Sequence, residues 1–222
     1  MPTVAARFRR SPLLRLAVAT LIVACPIAHA VDVPADAIVI EAEDGDMEAG
    51  VTLVDEADAS GGAALDHERG VKTLYDVELP EQGDWYVWIR IFCPDGDRDS
   101  YWLGMDDADP SPAEDALGEQ AVRIYSADGE SVNVAGQPFN IWFWDATKAA
   151  ADPRSFFSVK NAGSSTLWVK GREEGTLIDE ILLTQDEDYN AEVASGGGPI
   201  TILLAAEPLG SAAVTWATLR AE

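Results

Sequence analysis

The feature that most constrains the fold is a succession of short apolar runs separated by turn-forming residues. Residues 51–54, 71–79, 85–92, 101–105, 121–125, 139–144, 155–159, 166–170 and 177–184 are rich in β-branched and aromatic side chains, and each is bounded by Gly, Pro, Asp or Ser. Regularly spaced short strands of this kind predict an all-β sandwich. The one helical signal inside the series is 111–117, where Pro112 suits a first helical position and Glu114 and Asp115 suit a first turn.

Strand side chains alternate between faces, so the runs also assign sides. Trp85, Val87, Ile89 and Ile91 share one side of the third run, and Tyr86, Trp88, Arg90 and Phe92 the other. Tyr101 and Leu103 point to the core, leaving Ser100 and Trp102 opposite; Leu167 and Val169 point inward, leaving Trp168 and Lys170 outside. An outer face that holds Trp88, Arg90 and Trp102 is either capped by loops or an interaction surface.

The ends differ from this middle. Arg7, Arg9, Arg10 and Arg15 precede the apolar run 16–25, which ends near Ala28-His29-Ala30, so 1–30 reads as a secretory signal peptide cleaved after Ala30. The competing reading is a lipoprotein signal acylated at Cys25, weakened by Pro26. Both place the remainder outside the cytoplasm, secreted or at the cell surface, with no membrane span. The main domain is 31–190. Ser195-Gly196-Gly197-Gly198-Pro199 marks a linker at 191–199, and 200–222 reads as a two-strand appendage, the start of a truncated β module whose ending resembles a fibronectin-like opening.

Charge excludes whole classes of partner. Removing 1–30 takes away four arginines and leaves 11 basic against 39 acidic residues, a net charge near −28. Such a surface repels nucleic acid and anionic lipid. Cys93 is then the single cysteine, set in an apolar run, and reads as buried and structural. His67 is the single histidine and has no nucleophile-elbow sequence beside it. Paired glycosidase carboxylates remain open in so acidic a chain, but no motif selects a pair. Asp95-Gly96-Asp97-Arg98-Asp99 has aspartates at alternate places, yet lacks the glycine and closing glutamate of an EF-hand and reads as a polar hairpin loop.

Six segments occur in a telling order: EAE at 41–43, ASGG at 59–62, LPEQGDWYVWIRI at 79–91, DSYW at 99–102, WFW at 142–144 and REEGTLIDEILLTQD at 172–186. Together they resemble carbohydrate-binding module families 6 and 35 and their galactose-binding-like jelly-roll relatives, over roughly 38–188. The resemblance implies a jelly-roll β-sandwich with a structural Ca2+ at the sheet edge, held by Glu41 and Glu43, by Asp179, and by a backbone carbonyl near Ser60. The chemistry agrees, because calcium takes six to eight oxygen ligands and mixes carboxylates with carbonyls.

The resemblance also implies binding of a polysaccharide or glycan, either at loops along the sandwich edge or on a concave face. Sugar rings stack their C–H patches on aromatic rings while their hydroxyls need directional partners. Trp88, Arg90, Trp102, Trp144, Arg172 and Glu173 are the candidate contacts. Trp142 and Trp144 share a side of their strand, and Trp144 is taken as the exposed one. Arg172 and Glu173 can equally be an ion pair closing a turn. The expectation is a non-catalytic, calcium-stabilised glycan-binding module. The alternative is a calcium-dependent structural or adhesive spacer of a cell-surface protein, attached to other modules of a longer chain.

Overall fold

The computed structural model describes residues 31–106, 108–110, 121–125, 139–146 and 154–201. All nine runs anticipated from sequence contain a strand within it, although in 139–144 the strand begins only at Trp142; the helix expected at 111–117 lies outside the described residues. In chain order the elements are β1 (Ile38–Glu41), a 3-10 turn (Ala42–Asp44), β2 (Asp46–Met47), β3 (Val51–Asp55), a second 3-10 turn (Ser60–Gly62) and β4 (Ala63–His67). Then come β5 (Lys72–Leu79), β6 (Gly83–Phe92), β7 (Ser100–Met105), β8 (Ala108–Pro110) and β9 (Ala121–Tyr125). The last are β10 (Trp142–Asp145), β11 (Phe156–Val159), β12 (Gly163–Gly171), β13 (Leu177–Thr184) and the helix α1 (Ala191–Ser195).

The described strands form two antiparallel sheets, the sandwich expected from the sequence. One has eight strands in the order β3-β4-β13-β6-β11-β8, with β1 added to β13 and β10 added to β6; the other runs β2-β5-β12-β7-β9. β13 and β6 are the spine of the larger sheet. The outer edge of β13 is shared, with β4 on residues 177–178 and β1 on 180–183. The core lies between the sheets. Trp85, Val87, Ile89 and Ile91 of β6 and Ile178, Ile181 and Leu183 of β13 meet Tyr75, Val77 and Leu79 of β5, Tyr101 and Leu103 of β7, and Leu167 and Val169 of β12. Each fully buried side chain of this size stabilises the fold by about 1.5–3 kcal/mol.

β13 breaks strict alternation, and the break positions the site. The register against β6 shifts between Ile178 and Glu180, so Asp179 is the extra residue of a β-bulge. Without that shift Asp179 would share the core face with Ile181 and Leu183. With it, Asp179 leaves the core, where a carboxylate would have no partner, and Ile178, Ile181 and Leu183 all stay inside.

The segment expected to be a linker is structured and packed. Asn190 caps α1, its side chain accepting from the Val193 N–H at 2.9 Å, and Gly196, at φ 63°, ends the helix with its N–H donating to the Glu192 carbonyl. The following chain turns back onto the larger sheet, where the Glu180 carboxylate accepts from the Ile200 and Thr201 N–H groups at 2.8 and 2.7 Å. Of the β module expected at 200–222, residues 202–222 lie outside the described residues.

Candidate functional site

Glu41, Glu43, Ser60 and Asp179 come together at the edge of the larger sheet. Glu41 ends β1, Glu43 sits in the first 3-10 turn, and Ser60 opens the second. The Ser60 N–H donates to Asp179 Oδ1 at 2.8 Å, and its hydroxyl donates to Glu41 Oε1 at 2.7 Å. Glu43 completes the group: a Cβ placed on the neighbouring Gly61, which has a φ of 62°, would lie 2.9 Å from Glu43 Oε1. The Ser60 carbonyl accepts from the Ala63 N–H.

Burial dominates the electrostatics of the cluster. Desolvation raises the pKa of Glu41 and Asp179 and pushes Glu43 up to about 7, with the neighbouring carboxylates adding to the rise of both glutamates. At Asp179 the Arg90 guanidinium opposes the shift through a buried ion pair to Oδ2. Two oxygens, Glu41 Oε2 and Glu43 Oε2, are buried with no hydrogen-bond partner. Hard, anionic, unsatisfied oxygens are what a divalent cation such as calcium takes. Among the described residues, however, no three His, Cys, Asp or Glu side chains form a ready coordination shell. Arg90 and Ser60 hold the oxygens of Asp179, and Ser60 holds one of Glu41.

The six candidate sugar contacts fall in three separate places. Trp88 and Trp144 are fully buried in a second apolar cluster with Leu182, Tyr189, Ala191 and Ile200, so neither is the exposed platform expected of it. The cause is the 189–201 segment. Glu192 accepts from the Trp144 backbone N–H at 2.8 Å, and the Trp144 indole N–H donates to the Gly198 carbonyl at 2.9 Å.

Trp102 lies on the outer face of the smaller sheet beside Trp168, and these are only 5% and 8% exposed. Lys72 Nζ stands 4.4 Å from the Trp168 ring centre, Lys170 Nζ 5.1 Å from that of Trp102, and the Arg172 guanidinium 6.0 Å from Trp102. Arg172 and Glu173 form the turn-closing ion pair. Arg172 also donates to the Ser100 hydroxyl at 2.8 Å, and Glu173 accepts from the Asp99 N–H at 3.1 Å. The loop at Asp95 is the expected polar hairpin, closed by an Asp95–Arg98 ion pair. Cys93 is buried, and His67 is buried against Thr73 Oγ1 at 2.8 Å.

Arg90 belongs to a third place that sequence reasoning only half found. It is 3% exposed, and its guanidinium donates to the carbonyls of Gly197 and Asp58 at 2.9 and 3.1 Å as well as to Asp179. Its stem and head form one wall of an open pocket of about 610 Å³. Trp142 stacks over the guanidinium at 4.9 Å and packs against Phe92 at 5.7 Å between ring centres. Asn140, at a left-handed φ of 61°, and the half-exposed Ile141 line the rim. Glu56, Asp58 and Glu192 supply carboxylates, and 196–199 closes the far side. Trp142, not Trp144, is the half-buried indole. The two share a strand face, and no local signal separates them; only the cover from 189–201 does.

The sequence matches no family profile and no curated protein. Among solved structures it is similar to a family 6 carbohydrate-binding module from Cellvibrio mixtus lichenase 5A in complex with cellotriose, at 18% identity and a TM-score of 0.44, over 67% of this chain and 96% of that one. It is similar to a family 35 carbohydrate-binding module from Clostridium thermocellum at 13% identity and a TM-score of 0.45, over 67% and 98%. An exo-β-1,3-galactanase from Phanerochaete chrysosporium with galactose matches at 14% identity and a TM-score of 0.46; the match covers 68% of this chain and 30% of that enzyme.

Proposed function

We propose that this chain is a non-catalytic, calcium-stabilised module that binds a polysaccharide or glycan after export from the cytoplasm. One observation carries the reading: a half-buried tryptophan forms the wall of an open pocket that also holds a guanidinium, an amide and carboxylates. Pyranose recognition asks for that combination, an aromatic plane for the C–H patch and fixed polar groups for the hydroxyls. The order of the six sequence segments supports the same reading.

The support for calcium is the donor chemistry of unpartnered carboxylate oxygens. Glu41, Glu43 and Asp179, with the Ser60 carbonyl, are the groups that would hold it, and Glu41 Oε2 and Glu43 Oε2 are the oxygens that lack any other partner. A bound cation would add positive charge beside Glu41 and Glu43, where the buried carboxylates raise one another's pKa. Arg90 keeps Asp179 oriented toward the cluster while its other donors brace the pocket wall at Asp58 and Gly197. No helix among the described residues is long and apolar enough to cross a membrane.

Affinity electrophoresis of the whole chain through gels containing soluble polysaccharides, with calcium and with chelator, tests the function. Retardation by at least one polysaccharide supports it, and a lower melting temperature in chelator supports the metal. Free migration through every gel contradicts glycan binding, and an unchanged melting temperature contradicts calcium.

A further inference from the structure

We infer that the pocket beside Trp142 takes an uncharged saccharide ring and rejects saccharides bearing carboxylate or sulfate groups, a specificity that rests on the glycan-binding reading above. The argument is local charge. Among the described residues, Glu56, Asp58 and Glu192 line the pocket, against the one guanidinium of Arg90. Its Nε donates to the Gly197 carbonyl and its Nη1 to the Asp58 carbonyl and the Asp179 carboxylate, so neither pair of its nitrogens is left as a bidentate fork for an incoming anion.

The rest of the chain adds to the bias. Its formal charge is −24, and exposed charges beyond about 8 Å are screened at physiological salt, whereas partly buried ones lining a concave wall are screened less. Carboxylates accept hydrogen bonds from sugar hydroxyls, so the same groups that repel an anion satisfy a neutral ring. Trp142 and Ile141 provide the apolar ground on which that ring lies. Lys72 and Lys170 stand on the other sheet, and Arg154, over the Trp88 ring on this one, does not line the pocket.

The test compares binding of the whole chain to neutral β-glucan, galactan and mannan with binding to polygalacturonate and a sulfated galactan, at about 0.15 M ionic strength. Wild type is expected to bind at least one neutral polymer at least about tenfold more tightly than either anionic one, and Trp142→Ala to lose that binding by about tenfold or more. The double substitution Glu56→Gln/Asp58→Asn, on residues that carry no core packing, is expected to narrow the neutral-over-anionic ratio. It keeps the test open if Trp142→Ala does not fold by circular dichroism.

Anionic binding that matches neutral binding in wild type and disappears in Trp142→Ala overturns the inference while leaving glycan binding in place. Neutral binding indifferent to Trp142→Ala, or a ratio unmoved by the double substitution, also overturns it. Failure to bind any polymer removes the glycan reading itself.

Discussion

On the outside of the eight-stranded sheet, Trp88 and Trp144 lie beneath a stretch of chain, 189–201, that contributes its own apolar side chains and hydrogen bonds. On the outside of the five-stranded sheet, Trp102 and Trp168 lie among the stems of Lys72, Lys170 and Arg172, whose charged heads sit over the indoles. The first pair has become a second core. The second is held by cation–π contacts and long amphipathic side chains, worth about 0.5–1 kcal/mol each at exposed sites. Outward-facing tryptophan in a β-sandwich is therefore not itself a binding platform. Trp142 differs from all four because it stands where the 189–201 cover ends and the pocket begins.

Substitutions should separate the two faces. Trp144→Ala empties the centre of the second core and is expected to cost about 3–5 kcal/mol in urea unfolding. A loss under about 1 kcal/mol would mean that the segment 189–201 is only loosely laid over the sheet.

The seam between the sheets should respond to pH whichever face is altered. His67 on β4 meets Thr73 on β5, and burial pushes its pKa down from 6.5 to about 4. The folded state holds the neutral ring while the unfolded chain protonates it, so its contribution is complete above about pH 6.5 and is lost as the pH falls through about 4. The loss is on the order of 3 kcal/mol. Glu180, pushed up to about 7 by burial, acts in the opposite sense, gaining stability as pH falls from about 7 toward 4.5. The stability difference between wild type and His67→Gln isolates the histidine. It should shrink between pH 7 and pH 4, and a constant difference would contradict the assignment.

The smaller sheet offers gentler tests. Gly104 lies opposite Trp168 in register, and a Cβ there would collide with the indole. Gly104→Ala should cost about 1–3 kcal/mol, with a near-ultraviolet change confined to the smaller sheet's tryptophans. Lys72→Gln removes one ammonium from over Trp168 and should cost about 0.5–1 kcal/mol. A cost as large as that of Trp144→Ala would erase the distinction between the faces.

Much of the fold was legible because it rests on period-two patterns. Trp85, Val87, Ile89 and Ile91 alternate cleanly, and their strand is central. The convergence of Glu41, Glu43, Ser60 and Asp179 was read from resemblance; alternation would have put Asp179 on the core face between the sheets, since a one-residue bulge leaves no mark in a run such as LIDEILL. The Trp142 pocket was illegible for another reason. Which of two same-face indoles stays open depends on a segment some fifty residues later, and the glycines of that segment read as a linker. Asn190 and Gly196 were the available clues, an N-cap and a left-handed C-cap five helical residues apart.

Isothermal titration of the neutral oligosaccharide selected by the polysaccharide screen, into wild type, Trp142→Ala and Trp102→Ala in calcium, tests the functional assignment most directly. Trp142→Ala should weaken binding at least about tenfold, while Trp102→Ala stays within about twofold of wild type. Binding lost with Trp102 and kept without Trp142 would place the site on the other sheet and contradict the assignment.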